Sequence, residues 1–426
     1  MKFVSTRGGA APVSFSDAVL AGLAADGGLF VPRELPRLDP RSLEEAVGDF
    51  PGLAARVLEP FLAGDRLAGE LPRLCRAAFD FPIVLDELRD RTALLELFHG
   101  PTAAFKDFGA RFLAECLIAR PDGDGRALTV LVATSGDTGG AVAAAFWRRP
   151  GTRVAVLYPL GGVSARQEQQ LTCWGDNVRS FAVRGTFDDC QRVVKAAFRD
   201  ERMRREHRLT SANSINVGRL LPQMAYYCWA SLAVRARFGA EAGFVIPTGN
   251  AGNAVGAFWA KRIGFPLGRI ALAANANRVI PDWFEEGEWR PRPSIATLAN
   301  AMDVGDPSNM ERLFHLYPER ETLLADACAA SFDDATIRDV IARGPANWGR
   351  VFCPHTATAV RLREQLGPGP WVVVATAHPA KFETIVEPLV GRTVEPPPSL
   401  AALLERPRQV TEIAPSVDAL RLGLAE

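Results

Sequence analysis

One lysine, Lys106, is the residue whose type and setting most strongly indicate chemistry. It lies in the segment FHGPTAAFKDFG, and the chain has only five lysines, which leaves 44 of its 49 basic residues to arginine. Arginine stays protonated in proteins, whereas a desolvated lysine can lose its proton and form a Schiff base with a carbonyl group. Lys106 is therefore a candidate covalent anchor. Composition alone favours the alternative, that Lys106 is a solvated surface charge. Other motifs in the sequence are needed to choose between these two interpretations.

A glycine-rich turn is the second chemical feature. The segment FVIPTGNAGNAVGAFWAKR reads as strand, turn and helix, and its turn consists of Gly249, Asn250, Ala251, Gly252 and Asn253. Converging backbone N–H groups and the positive end of a helix dipole favour a phosphate at such a turn. The turn matches neither a P-loop nor a GxGxxG motif. A turn without a ligand is the alternative, but a phosphate site paired with a Schiff-base lysine is how proteins hold pyridoxal phosphate.

A second strand, turn and helix is predicted in the segment LTVLVATSGDTGGAVAAAF. Its turn contains Ser135, Asp137 and Thr138, which could bind a carboxylate or another small anion together with exposed backbone amides. Helix capping by Ser135 or Thr138 is the alternative. Because ligands of open α/β sheets lie beyond the carboxyl ends of the strands, both turns could face one crevice.

The elements that must position these residues alternate along the chain from Ala127 onward, as in an α/β sheet with crossover helices. The apolar runs predict strands at Leu128–Thr134, Arg153–Tyr158, Val178–Val183, Phe244–Pro247, Ile270–Ala274 and Trp371–Thr376. Helices are predicted at Gly140–Arg148, Ser164–Trp174, Phe187–His207, Leu220–Arg237 and Asn253–Ile263. Their order indicates a mostly parallel sheet, preceded by a proline-punctuated, mainly helical N-terminal region.

Composition excludes several other classes of protein. The 426 residues, 48% of them hydrophobic, are enough for two or three folding units. With 49 acidic and 49 basic residues there is no net charge to attract nucleic acid or an anionic membrane. No segment resembles a signal peptide or a membrane span, so we expect a soluble, cytoplasmic protein. Seven scattered cysteines without a CxxC pair indicate neither a disulfide framework nor a metal site.

Seven motifs in order make the chain resemble the threonine synthase family. They are FHGPTAAFKDFG, ATSGDTGG, NSINVGRLLPQ, PTGNAGN, AMDVGDPSNMER, PHTAT and ATAHPAKF. The N-terminal segment STRGGAAPVSFSDAVLAGLAADGGLFVP is also similar to that family, so the likeness extends from Ser5 to about Phe382. The resemblance implies a fold-type II pyridoxal-phosphate enzyme that converts O-phospho-L-homoserine and water to L-threonine and phosphate.

The resemblance also implies roles for individual residues. Lys106 would carry the cofactor, the turn Gly249–Asn253 would hold its phosphate, and Thr376 would meet the pyridine nitrogen. Asp137 would approach the phenolic oxygen of the cofactor, where it needs a hydrogen bond or a cation. The substrate-binding residues would be Ser135, Thr138, Asn213, Arg219 and Lys381. Arg219 is the candidate for the substrate phosphate because a guanidinium binds phosphate through two hydrogen bonds; an ordinary helix-surface arginine is the alternative.

The implied α/β architecture is like that of the tryptophan synthase β subunit, with two open, twisted, mostly parallel sheets, flanking helices and a helical N-terminal region. We predict an N-terminal region at 1–92, a large cofactor-binding domain at 93–111 and 215–400, a small domain at 112–214 and a C-terminal segment at 401–426. A monomer or a homodimer is expected. The alternatives are a related phospholyase or hydroxy-amino-acid dehydratase and, from another class, a non-catalytic binding protein.

Three positions depart from the family pattern. Val217 replaces a usual tryptophan, Arg278 a usual aspartate, and Cys353 the aspartate that usually precedes PHTA. None of them is assigned to the cofactor, so they bear on the substrate pocket more than on the type of reaction. Lys381 is the rival of Lys106 as the Schiff-base lysine, and His99, His355 and His378 could each be structural or act in proton transfer.

Overall fold

A computed structural model describes residues 1–119, 126–134 and 136–425. The strands of these residues are β1 Phe3–Ser5, β2 Phe30–Pro32, β3 Val84–Glu87, β4 Thr92–Glu96, β5 Leu128–Ala133, β6 Thr152–Pro159, β7 Val178–Val183, β8 Arg208–Ser211, β9 Ala242–Pro247, β10 Leu267–Ala274, β11 Ala327–Ser331, β12 Trp371–Ala375 and β13 Thr411–Ile413.

The helices lie between and around these strands. They are α1 Phe15–Ala21, α2 Phe50–Leu58, α3 Leu71–Ala78, α4 Lys106–Ile118, α5 Asp137–Phe146, α6 Ala165–Thr172, α7 Phe187–Arg199, α8 Glu201–Glu206, α9 Val217–Phe238, α10 Gly252–Arg262, α11 Val279–Glu286, α12 Met310–Leu316, α13 Arg320–Asp326, α14 Asp334–Trp348, α15 Pro354–Gln365, α16 Glu383–Val390, α17 Pro398–Leu404 and α18 Val417–Ala425. Within the described residues, no helix is both long and apolar enough to cross a membrane.

The larger sheet has the strand order β11-β10-β9-β12-β4-β3. All neighbours are parallel except β3 and β4, which pair antiparallel. Three of the predicted strands are therefore confirmed here as β9, β10 and β12, with shifted ends. The interior strands β9 and β12 are almost entirely buried, which explains why they read as continuous apolar runs.

The smaller sheet has the order β13-β7-β6-β5-β8, and every pair is parallel. It confirms the predicted strands at β5, β6 and β7. The other two strands were not predicted, because β8 is short and β13 lies far away in sequence. Strand pairing therefore places part of the segment after residue 401 in this sheet. It also places β3, which lies in the predicted N-terminal region, in the larger sheet. The division into domains itself stays a prediction.

One predicted helix is wrong as a single element. The range Phe187–His207 is divided into α7 and α8 at Asp200, whose backbone is extended at φ −71° and ψ 124°. The Asp200 carboxylate accepts a hydrogen bond from the Met203 amide at 2.8 Å. An aspartate that caps a helix start competes with continued helix, so the chain restarts there.

The N-terminal helices pack on α4 and α9 through a cluster of aromatic rings. Phe50 meets Phe108 of α4 edge-on at 5.7 Å, and Phe79 stacks on Phe112 at 6.1 Å. These rings are at most 6% exposed and belong to the main hydrophobic core. The packing fixes α4, whose first residue is Lys106, against the rest of the molecule.

Candidate active site

Four strand ends converge on the site. The carboxyl ends of β5, β9 and β12 lead into the turn before α5, the turn before α10 and Thr376, and β4 leads into the loop before α4. The Phe105 amide donates to the Thr376 carbonyl at 2.8 Å, which joins the residue before Lys106 to the end of β12. An antiparallel bridge between Ala104 and Ala377 reinforces the contact. The parallel sheet thus brings together segments that lie up to hundreds of residues apart.

Lys106 is the first residue of α4 and is half-buried. Within the described part of the chain, its ammonium has neither a hydrogen-bond partner nor an ion-pair partner. Burial lowers its pKa to about 8, Asp137 opposes that shift, and the positive charges of Arg219 and Lys381 add to it. An amine of this pKa is partly unprotonated near neutral pH and can react with a carbonyl group.

Asp137, the first residue of α5, forms a buried ion pair with Lys381. Lys381 Nζ lies 2.8 Å from Asp137 Oδ1, and the side chains are 0% and 5% exposed. Burial opposes ionisation of Asp137, but the charges of Lys381 and then Lys106 outweigh it and hold the pKa of the carboxyl at about 2. Gln167 Nε2 donates to the same oxygen at 3.4 Å. Asp137 is thus a carboxylate next to a cation, the condition that its predicted position required.

The glycine-rich turn runs from β9 into α10, and Ala251 has the left-handed backbone that starts the helix, with φ 59°. Among the described residues, the amides of Gly249, Asn250 and Ala251 have no hydrogen-bond acceptor. No side chain caps α10. The start of this 11-residue helix therefore offers the free N–H groups that a phosphate needs.

A buried arginine, Arg312, stabilises the segment that contacts this turn. Arg312 is 0% exposed and donates to the backbone carbonyls of Phe30, Ser214 and Ile215. Ser214 Oγ in turn accepts from Asn250 Nδ2 at 2.8 Å. Burial lowers the pKa of Arg312 to about 9. The sequence contained this residue in the motif AMDVGDPSNMER, but nothing there indicated its contacts.

Asn253, in the first turn of α10, has a side-chain donor, Nδ2, without a hydrogen-bond partner among the described residues. Its Oδ1 accepts from the hydroxyls of Tyr226 and Tyr227. In this orientation Nδ2 is buried and has no partner among the described residues. Buried donors are almost always satisfied in native proteins, so this one is available to a ligand.

Arg219 lies on α9 beside α4. It is 2% exposed, its Nη1 donates to the Ala212 carbonyl, and its Nε has no partner among the described residues. An added Cβ on Gly109, one turn after Lys106, would lie 3.1 Å from this Nε. Burial lowers the pKa of the guanidinium to about 10. The helix-surface alternative for Arg219 is therefore wrong, because this cation is buried near Lys106.

Three of the remaining predicted residues lie at the end of β12, on α5 or in contact with the end of β5. Thr376 is 5% exposed at the end of β12. Thr138 is half-buried on α5, and Asn213 Nδ2 donates to the Ala133 carbonyl at 3.0 Å, next to the turn before α5. Ser135 lies outside the described residues. The roles assigned to all these residues stay predictions.

His355 is the histidine that the structure brings into the site. Its Nε2 accepts from the Ala301 amide at 3.1 Å, and Asp137, Lys106 and Lys381 are its charged neighbours. Burial lowers its pKa to about 4, so the ring is neutral near pH 7. Cys353 caps the same helix, α15, through the Thr356 amide at 3.4 Å. Of the other departures, Val217 is buried in the core and Arg278 pairs with Asp282.

The residues fit pyridoxal phosphate. Among the described residues, a lysine without a hydrogen-bond or ion-pair partner supplies a carbonyl-reactive amine, and the free amides at a helix start and the unpaired Nδ2 of Asn253 supply donors for a phosphate. Arg219 is a separate, buried cation, and its Nε has no partner among the described residues.

Comparisons with known proteins agree with this geometry. A family profile described as pyridoxal-phosphate dependent enzyme matches residues 88–377, and profiles for the N terminus and the C terminus of threonine synthase match residues 2–79 and 356–422. The chain is 39% identical to the threonine synthase of Escherichia coli (strain K12), over 96% of this chain and 95% of the relative.

Solved structures show the same relationship. The crystal structure of threonine synthase from Escherichia coli has a TM-score of 0.92 at 38% identity and covers 100% of this chain and 99% of that one. A structure of PLP-bound threonine synthase from Brucella melitensis has a TM-score of 0.91 at 33% identity, over 99% of this chain and 98% of that one. Fold and site thus define a pyridoxal-phosphate-dependent enzyme of fold type II. Within that class, the chain belongs to the threonine synthase family.

The close approach of Gly249 to its neighbour leads to a testable prediction. An added Cβ would lie 2.6 Å from Met302 Cα, a backbone atom that can move only with its segment. We expect Gly249→Ala to cost about 1–3 kcal/mol of local strain and to raise the dissociation constant of pyridoxal phosphate about tenfold or more. Equilibrium titration with the cofactor measures this. Gly69→Ala is the control, because its Cβ meets nothing within 4 Å; equal affinities of the two variants would contradict the prediction.

Proposed function

We propose that this protein catalyses the threonine synthase reaction, which converts O-phospho-L-homoserine and water to L-threonine and phosphate. The observations that carry the proposal are the free amides at the start of α10 and a second, buried cation, Arg219, which acts electrostatically on Lys106. The helix start at Gly252 suits the cofactor phosphate, and the unpaired Nε of Arg219 suits the phosphate of a substrate. A substrate without a phosphate would leave the Nε of Arg219 buried and unpaired, at a cost in affinity.

Each residue has a defined task in the proposal. Lys106 Nζ would hold the cofactor covalently, and the turn Gly249–Asn253 would bind its phosphate through the backbone amides and Asn253 Nδ2. Thr376 would form a hydrogen bond with the pyridine nitrogen, and Asp137 would approach the phenolic oxygen. Bound pyridoxal phosphate supplies an electron sink for the negative charge that develops at Cα of the substrate.

In this proposal, Lys106 carries out the proton transfers. Once the substrate amine had replaced it, Nζ would be free to take the proton at Cα and then the proton at Cβ whose loss expels the phosphate from Cγ. It would deliver a proton to Cγ and, after water has added at Cβ, return one to Cα. A pKa of about 8 for Lys106 suits both directions near neutral pH. Burial of the site excludes bulk water during the elimination of phosphate, and Ser135, Thr138 and Asn213 orient the carboxylate of the substrate. The neutral ring of His355 adds no charge to this cluster.

Product analysis tests the proposal. The purified protein, loaded with pyridoxal phosphate, is given O-phospho-L-homoserine, and phosphate, threonine and 2-oxobutyrate are measured together. Equal amounts of phosphate and threonine support the threonine synthase reaction. Phosphate with 2-oxobutyrate would indicate a phospholyase, turnover of hydroxy-amino acids instead would indicate a dehydratase, and neither turnover nor cofactor attachment would indicate a non-catalytic binding protein.

The cytoplasmic location and the monomeric or homodimeric state remain proposals as well. Light scattering after size-exclusion chromatography decides between the two oligomeric states.

A further inference from the structure

Lys381 is the most deeply buried lysine of the site, and protein atoms already engage its ammonium. Its side chain is 0% exposed, with Nζ 2.8 Å from Asp137 Oδ1 and 2.7 Å from the Thr102 carbonyl. Thr102 is held in turn by Asp107, which accepts from its amide at 2.9 Å and from its hydroxyl at 2.7 Å. This chain of contacts leaves the ammonium in one position.

The pair joins the two sheets. Lys381 belongs to the short helical turn Pro379–Phe382 after β12 of the larger sheet, whereas Asp137 begins α5 after β5 of the smaller sheet. A buried ion pair carries a large desolvation cost and contributes little net stability. Because both members of the pair act electrostatically on Lys106, the pair calls for a role other than stability.

The Asp137 carboxylate has two lysines in its surroundings as candidate ion-pair partners. Both Lys381 and Lys106 act on its carboxylate electrostatically, but only Lys381 lies within ion-pair distance. Lys106 is left without a hydrogen-bond or ion-pair partner among the described residues, and its Nζ lies over the Phe105 ring, 5.9 Å from the centroid. If the Lys381 ammonium were absent, Lys106 would be the nearest remaining lysine for a buried carboxylate that cannot stay unpaired at low cost.

We infer that Lys381 is a positioning residue for Lys106: by holding the Asp137 carboxylate, it keeps the Lys106 amine out of an ion pair and free to attack a carbonyl group. The inference rests on the proposed covalent role of Lys106. It assigns Lys381 a task different from the contact with substrate that the sequence suggested, because both of its acceptors are protein atoms.

The charges around this pair define the expected direction of change. The titratable and charged groups that face Lys106, Asp137 or Lys381 are Arg219 on α9, His355 and Cys353 at α15, Asp107 on α4 and His378 before the turn of Lys381. Lys381 lowers the pKa of Lys106 and Asp137 raises it. Loss of Lys381 therefore removes a repulsion and releases an attraction, and both effects raise the pKa of Lys106.

The test follows the attachment of the cofactor to Lys106 without any turnover. The full-length protein is freed of cofactor, mixed with pyridoxal phosphate across a pH series and reduced with borohydride, and modified Lys106 is quantified by peptide mass spectrometry. Attachment rises with pH as the amine loses its proton, with a midpoint near 8 expected from the pKa of Lys106. For Lys381→Met we expect the midpoint to rise by about one to three pH units.

Three further variants separate positioning from a merely structural role. Asp137→Asn removes the attraction, so its midpoint is expected below that of the parent protein. The double variant Lys381→Met with Asp137→Asn removes both charges and is expected to return towards the parent midpoint, which repair of a packing defect would not do. Lys261→Met is the matched control, because Lys261 forms a partly exposed pair with Asp326, and its midpoint is expected to stay unchanged.

The outcomes distinguish this inference from the proposed function. No modified Lys106 at any pH, even in the parent protein, would overturn the covalent role of Lys106 and the inference with it. Modified Lys106 with the parent midpoint in Lys381→Met would overturn the inference alone. If Lys381→Met does not fold, Asp137→Asn decides, since a midpoint that fails to fall in this variant also overturns the inference.

Discussion

Replacing Lys106 by alanine is expected to lower threonine formation from O-phospho-L-homoserine at least about a thousandfold. The variant loses both the covalent anchor of the cofactor and the amine that moves the proton at Cα. The glycine-rich turn remains intact in it, so pyridoxal phosphate is expected to bind reversibly, without a borohydride-stable link to the protein. Initial rates and mass spectrometry of the reduced protein measure the two effects.

Lys261→Ala is the control for this experiment, because it removes a lysine that pairs with Asp326 away from the site. It is expected to keep the parent rate. Turnover in Lys106→Ala close to that of Lys261→Ala would show that another group, with Lys381 as the first candidate, carries the cofactor.

Replacing Arg219 by methionine is expected to lower kcat/KM for O-phospho-L-homoserine about a hundredfold or more, while the affinity for pyridoxal phosphate changes little. Hydrogen bonds between a guanidinium and a phosphate contribute about 1.5–3 kcal/mol each, and the unpaired Nε is available for one of them. Arg219→Lys keeps the charge but loses the two-pronged geometry, so an intermediate loss is expected. Steady-state kinetics and cofactor titration on the same preparations separate substrate binding from cofactor binding.

The matched control is Arg363→Met. Arg363 is a buried arginine whose Nε donates to Thr92 Oγ1, at the start of β4 and thus at the opposite end of that strand from the site. The two substitutions are alike in volume and burial, and only the one at Arg219 is expected to affect the substrate. Equal kcat/KM values for the two variants would rule out Arg219 as the phosphate ligand.

Much of the fold was predictable because it depends on local patterns. Strands such as β5, β7 and β9 are buried on both faces, so their apolar runs can be read directly from the sequence. Elements that depend on distant partners were missed. The strand β13 has three residues, two of them exposed, and exists only because it pairs with β7, more than two hundred residues earlier in the chain.

The candidate site likewise has a part that was predictable from the sequence and a part that was not. Lys106, the turn Gly249–Asn253 and Thr376 belong to contiguous motifs, because a helix start or a strand end is built from neighbouring residues. By contrast, the amide that anchors His355 and the carbonyls that hold Arg312 come from other segments. Nothing in the spacing of residues indicates such contacts.

The sequence by itself determined the class of enzyme and predicted the lysine and the phosphate turn, since these depend on residue types and spacings within short segments. Only the tertiary structure decided the electrostatics: that Asp137 pairs with Lys381 and not with Lys106, and that Arg219 is buried with an unpaired Nε. Charges interact through space, with strengths that depend on distance and burial. Those distances exist only once the carboxyl ends of β5, β9 and β12 have been brought together.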